Sequence, residues 1–168
     1  AQASMSLGWA TKVSADVDIE EILKAAEDDM YKHKVIQNEG LRGNIISIIV
    51  KALYEKNPRE ERHSERVGEM AVKIGEAMGL SEKETGKLRL IGHLHDIGKI
   101  AVEERILNKT GSLSEREKEE IRRHPDVGYR ILCATSEMQE VADCVLAHHE
   151  RWDGEGYPKG LSMEEIPV

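Results

Sequence analysis

Apolar residues recur along most of this chain at intervals of three and four, the period of a helix with one face turned to a core. Ile19, Ile22, Leu23, Ala26 and Met30 form the first such series, behind Asp18 and Glu21 at the spacing of a capping box. They predict a helix running to about Lys34. Ahead of it, residues 4 to 10 (SMSLGWA) alternate loosely and predict a short strand. Gly40 and Gly43 bracket a predicted break. The run Ile45 to Val50 suits a strand on propensity alone. It continues into KALYEK with Ile45, Ile49, Ala52 and Lys56 on one helical stripe, and is read as helix. Asn57-Pro58 ends that helix and opens the next, with proline in the first turn.

The remaining segments all read as helix. Val67, Met70, Ala71, Ile74 and Met78 predict an apolar face closed by Gly79. Ser81 and Glu84 make a second capping box, with a helix expected to about Ile97. Ile100 to Ser112 is a connection. Ser114 and Glu117 open a helix to Arg123, and Pro125 permits a fresh start through Val127, Ile131 and Leu132. Val141, Val145 and His148 share a face of the last helix. Four glycines and prolines among residues 153–160 predict a loop. Phenylalanine is absent and aromatics make up 4% of the chain, so the core must be aliphatic, which favours packed helices.

Charge narrows the function classes. With 168 residues and a formal charge of −8, the chain is a poor candidate for binding polymeric nucleic acid, which selects basic surfaces. An anionic substrate would need bound cations to reverse the local field. Cys133 and Cys144 are too few for a disulfide framework and read as reduced thiols. No apolar run approaches a membrane span and no signal-peptide pattern opens the chain, so a cytoplasmic protein is expected.

The histidines carry the candidate chemistry. Of seven, His33 reads as a surface residue, and His93, two places before His95, faces elsewhere. The other five, His63, His95, His124, His148 and His149, come from four helices whose apolar stripes would bring them together. Several buried imidazoles without partners would be costly. A metal cluster satisfies them, since neutral imidazole is a common ligand for Fe, Mn, Ni or Zn. Asp96, beside His95, can bridge two cations. Lys99, one turn beyond His95, can reach the same cavity.

The ordered segments His63-Ser64-Glu65-Arg66-Val67, His95-Asp96-Ile97-Gly98-Lys99-Ile100, His124-Pro125-Asp126-Val127-Gly128 and His148-His149-Glu150-Arg151-Trp152-Asp153-Gly154-Glu155-Gly156-Tyr157-Pro158 resemble the signatures of HD-GYP domains. These form a branch of the HD metal-dependent phosphohydrolases. The resemblance covers residues 41–168. It implies an all-α, HD-type helical bundle and hydrolysis of cyclic di-GMP, a bacterial second messenger, to the linear dinucleotide or GMP. It also implies two divalent cations, Fe or Mn first, with Zn, Ni or Mg as alternatives. Carried over by position, His63, His95, Asp96, His124, His148 and His149 would be metal ligands, with Asp96 bridging. Lys99 would meet the scissile phosphate. Asp153, Gly156, Tyr157 and Pro158 would line the substrate loop, which in the family also suggests contact with a GGDEF domain; a homodimer is a further expectation.

Departures accompany the resemblance. The family pattern continues to a further helix with an aspartate ligand, beyond Val168. Glu103, Glu104 and Thr110 replace residues common in the connection, and Arg59 stands where members with a third cation carry glutamate. Residues 1–40 resemble the last strand and helix of a GGDEF domain without its cyclase signature. The alternatives are another HD-type nucleotide phosphohydrolase, or a non-catalytic module that binds metal or nucleotide.

Overall fold

The computed structural model describes residues 9–11, 18–20, 22–24, 26, 27, 30 and 40–167. Residues 1–47 and 48–168 form two compact units.

In the first unit the described positions from Ile19 to Met30 are helical. Asp18 opens this helix: its Oδ1 accepts from the Glu20 amide at 3.2 Å, and its carbonyl accepts from Ile22 N at 3.3 Å, while Glu21, the other half of the expected capping box, lies outside the described residues. Ile19 and Leu23 nonetheless stand exposed. Of the expected strand, Trp9 and Ala10 belong to no strand, and residues 4–8 lie outside the described residues. Helix α1 spans Gly40–Lys56. Gly43 therefore sits inside a helix rather than at a break, and the β-branched run Ile45 to Val50 is helical. Its stripe continues into helix-favouring KALYEK, and that outweighs a weak local preference for strand.

In the second unit, α2 (Pro58–Ala77) starts as the sequence requires. Asn57 accepts from Arg59 N at 3.0 Å and Pro58 takes the first turn. Its C-terminus closes with Leu80 N bonded to Gly75 O and Gly79 N to Glu76 O, both at 3.0 Å, a Schellman motif. Helix α3 (Glu82–Leu94) follows after a capping box between Ser81 and Glu84. α2 and α3 pack along each other so closely that a Cβ on Gly92 would lie 2.6 Å from Gly68 Cα. Gly92 must lack a side chain for that approach.

This crossing corrects the expected apolar face. α2 turns Ser64, Gly68, Val72 and Gly75 inward, while Met70, Ile74 and Met78 are exposed. Small side chains let the helix axes approach, and the large ones are rotated outward by the same choice of face.

α3 ends at Leu94, earlier than Ile97, and a 3₁₀ helix over Ile97–Ala101 takes over. The expected connection also contains α4 (Glu104–Leu107). The Lys56 ammonium donates to Ile100 O at 3.1 Å and to Val102 O, fixing this segment from the end of α1. A capping box between Ser114 and Glu117 opens α5 (Glu115–Ile121). α6 (His124–Leu132) begins with Pro125 in its first turn, and α7 (Gln139–Ala147) completes the bundle. After it comes a loop with one 3₁₀ turn, Met163–Glu165. The core gathers Leu53, Leu94, Ile97, Val102, Ile106, Leu132, Val141, Ala142 and Val145. His124 and Asp96 are buried among these aliphatic residues, 1% and 3% exposed. No strand occurs among the described residues, and the fold is all-α.

Candidate metal centre

Three histidines stand where helices stop. His95 follows the last residue of α3, His148 follows the last of α7, and His124 lies just beyond α5 at the start of α6. The last turn of a helix leaves carbonyls without an intrahelical donor. Each of these rings uses one. Nδ1 of His95 meets Gly92 O at 2.8 Å, Nδ1 of His124 meets Ile121 O at 2.7 Å, and Nδ1 of His148 meets Val145 O at 2.6 Å. A carbonyl only accepts, so Nδ1 carries the proton in all three. Nε2 is left pointing away from its own helix, the orientation that second-shell bonds impose on metal-binding imidazoles.

The three Nε2 atoms converge on Asp96. Oδ2 of Asp96 lies 3.0 Å from His95 Nε2 and 3.6 Å from His63 Nε2. Oδ1 lies 3.2 Å from His124 Nε2 and 3.9 Å from His148 Nε2. One carboxylate thus turns an oxygen to each of two sets of imidazoles. His149 joins the second set. Its ring centroid is 4.1 Å from that of His148 and 5.0 Å from that of His124. The ligand atoms of His63, His95 and Asp96, and separately those of His124, His148 and His149, all lie within 4.8 Å of one another.

Close backbone packing sets these positions. A Cβ on Gly98 would meet His124 O at 1.9 Å and Gly128 N at 2.6 Å, so the 3₁₀ helix and α6 touch main chain to main chain. That contact carries Asp96 to within bonding range of His124.

Electrostatics agree with the geometry. Burial pushes His148 down to about 3 and His149 down to about 4, so both are neutral near pH 7 and present lone pairs. His124 Nε2 lies 3.1 Å from His148 Nε2. Burial opposes the charge on Asp96, but the imidazoles of His124 and His95 beside it outweigh this and hold the carboxyl well below the usual carboxylate range. Burial likewise opposes the charge on His95, and Asp96 overcomes it to raise that imidazole, so a cation at His95 Nε2 displaces a proton. Burial alone would lower the Lys99 ammonium; the Asp96 and Glu60 carboxylates reverse this and raise it. Imidazole nitrogens, from buried His124 to half-exposed His63, converge with buried carboxylate oxygens into a donor set that suits divalent cations, and the residues present fit them.

The other sequence-predicted residues fall around this centre. Lys99 Nζ lies 2.9 Å from Asp96 Oδ2. The Tyr157 ring stacks on His149 at 4.6 Å and 19°, with the Arg122 guanidinium over it at 5.4 Å. Gly156 lies against the backbone of Glu150 and Arg151, and the Tyr157–Pro158 peptide is cis. Asp153 is turned elsewhere: its carboxylate takes the Arg151 guanidinium and the Glu155 amide on an exposed loop. Trp152 is exposed.

Two further residues were not singled out from sequence. Glu150 accepts from Lys159 N at 2.7 Å and Leu161 N at 3.0 Å, closing the loop that carries Tyr157. Glu60 takes both its oxygens to Lys99. Its place three residues before His63, on the same side of α2, was the available signal.

Residues 47–168 match the family described as HD domain. The chain belongs to that family. Similar proteins place this HD domain with the HD-GYP type that its motifs resemble. A "Cyclic di-GMP phosphodiesterase" of Thermotoga maritima is 46% identical over 109 residues, covering 64% of this chain and 30% of the relative. The "Cyclic di-GMP phosphodiesterase response regulator RpfG" of Xanthomonas campestris pv. campestris is 38% identical over 125 residues, covering 73% and 33%. A "3'3'-cGAMP-specific phosphodiesterase 2" of Vibrio cholerae is 34% identical over 108 residues, covering 63% and 21%. The chain thus spans a third or less of the length of these relatives. No described helix of the HD domain is long and apolar enough to cross a membrane.

Proposed function

We propose that this HD domain hydrolyses a phosphodiester bond of a cyclic dinucleotide, with cyclic di-GMP as substrate, through two divalent cations that share Asp96. The carrying observation is the division of one buried carboxylate, Oδ2 toward His63 and His95 and Oδ1 toward His124 and His148. His63, His95 and Asp96 would hold one cation, Fe or Mn. His124, His148 and His149 would hold the other with Asp96. The names of the relatives support the substrate class, two of them cyclic di-GMP and one 3'3'-cGAMP.

Divalent cations held there would supply Lewis acidity, making hydroxide available from water near neutral pH and offsetting charge on the phosphoryl oxygens. The protein groups do the rest. The helix-end carbonyls keep three Nδ1 protons in place, so the rings need no reorganisation during turnover. The Lys99 ammonium, 18% exposed, stands at the edge of the first set and offers a positive charge to a phosphoryl oxygen or the leaving 3′-oxygen. Tyr157, stacked on His149, forms a wall of the substrate cleft, with Gly156 and Pro158 shaping its loop. Asp153 serves that loop by tying Arg151 to the Glu155 amide. In this reading residues 1–40 are the end of a GGDEF-like domain and the chain works in bacterial second-messenger signalling in the cytoplasm.

The chain, stripped of metal and reloaded with Mn²⁺ or Fe²⁺, is assayed against cyclic di-GMP, 3'3'-cGAMP and deoxynucleoside triphosphates. Metal-dependent loss of cyclic di-GMP is expected. Turnover of deoxynucleotides alone makes it another kind of HD phosphohydrolase, and failure to retain metal leaves no such enzyme.

A further inference from the structure

Glu60 belongs to none of the motifs that identify the domain, yet its carboxylate is 13% exposed and fully engaged. An acid in the first turn of a helix ordinarily points to solvent and complements the dipole. This one turns inward. Its two oxygens lie 3.1 and 3.2 Å from Lys99 Nζ, which also donates to Asp96 Oδ2 at 2.9 Å. Oδ2 is the oxygen that faces His63 and His95. The ammonium therefore already neutralises the atom that the first cation must use.

Local geometry explains the meeting. Glu60 and His63 are three apart on one side of α2. Asp96 and Lys99 are three apart across a 3₁₀ turn, where such positions eclipse. Two pairs, each with an acid, thus face one another, and Lys99 sits between both acids.

A divalent cation arriving at Oδ2 comes within a few ångströms of an ammonium of the same sign, in surroundings that screen poorly. The geometry points to Glu60 as the positioning residue that takes the Lys99 ammonium off Asp96 when the first half-site binds its cation, and then holds it beside that cation for the substrate phosphate. Lys99 is in this way a resident counter-ion that Glu60 lets yield to metal. The inference rests on reading His63, His95 and Asp96 as a metal half-site.

Titration of the metal-stripped chain with Mn²⁺ tests it, in a His148→Ala, His149→Ala background that leaves the second set only His124 and the shared Asp96. In that background Glu60→Gln is expected to weaken Mn²⁺ binding by roughly tenfold or more, the scale of outer-shell effects on metal affinity. Lys99→Met should bind Mn²⁺ at least as tightly as the parent. In the double variant the Glu60→Gln penalty should vanish, because no ammonium remains to be held. Unchanged affinity in Glu60→Gln overturns the inference. So does an equal loss with and without Lys99, which would mean that Glu60 touches the metal or merely supports the fold. Should Glu60→Gln not fold, Lys99→Met alone decides, and weaker Mn²⁺ binding there counts against the inference. A wild-type chain that takes up no Mn²⁺ defeats the metal reading and this inference together; uptake with an indifferent Glu60→Gln defeats only the latter.

Discussion

At the scale of single residues, Asp96 has the largest consequences. Its two oxygens face different imidazole sets, so its removal should empty both rather than one. Asp96→Ala, checked for retained helicity by circular dichroism, is expected to carry well under one metal per chain by elemental analysis, against about two for the wild type. Retention of one full equivalent would mean the carboxylate serves a single cation. Sequence spacing was enough to name the six residues that converge here, because an imidazole placed on or beside a buried stripe has few inexpensive fates. It could not show how each ring is aimed. That depends on which carbonyl a helix end leaves over, a matter of where Leu94, Ile121 and Ala147 stop their helices. Glu60 escaped notice for a related reason: an acid in a first turn is ordinary until its partner, 39 residues away, is in view.

At the scale of elements, start signals were legible and faces less so. The Asn57, Ser81 and Ser114 caps appear where side-chain chemistry alone put them. α2 shows the limit. Its large apolar residues, Met70, Ile74 and Met78, suggested the core face, but the helix buries Ser64, Gly68, Val72 and Gly75, with Gly68 against Gly92. Hydrophobicity scores side chains by transfer from water, whereas a close helix crossing selects for missing volume. The end of α3 was missed for the same kind of reason, since contact between Gly98 and the His124 backbone, rather than any stop residue, favours the 3₁₀ turn. The α5 cap gives a pH prediction. Bonds from Lys109 and from the Ser114 hydroxyl and amide pull Glu117 down to about 2 from its ordinary 4.5. A carboxyl depressed on folding stabilises the fold above about 4.5, and that contribution disappears as pH falls through about 2. Glu117→Gln should therefore lower the melting temperature at pH 7, and the gap to wild type should narrow between pH 4 and pH 2. A gap independent of pH would mean that the amide loses only a hydrogen bond.

At the scale of the whole molecule, the ligand atoms of the centre connect α2, α3, α6 and α7, so cation binding and folding are linked equilibria. Chelation should lower the melting temperature. At free metal about a hundred times the dissociation constant, a single site contributes about 2.7 kcal/mol. Scans with and without chelator, at fixed protein concentration, measure the difference. In the Asp96→Ala variant chelator should have no effect. The all-α architecture was legible because the helical period persists through nearly every segment. The expected N-terminal strand rested on one short alternation, most of which lies outside the described residues.

The Nδ1 bonds that tie His95, His124 and His148 to Gly92, Ile121 and Val145 have a mechanical consequence. A ring that both clasps its own final turn and grips a shared ion acts as a rivet, so fraying at one terminus pulls on the others. Occupancy should therefore register in solvent deuterium uptake as simultaneous slowing at the tails of α3, α5 and α7, stretches far apart in the chain that the shared ion ties together.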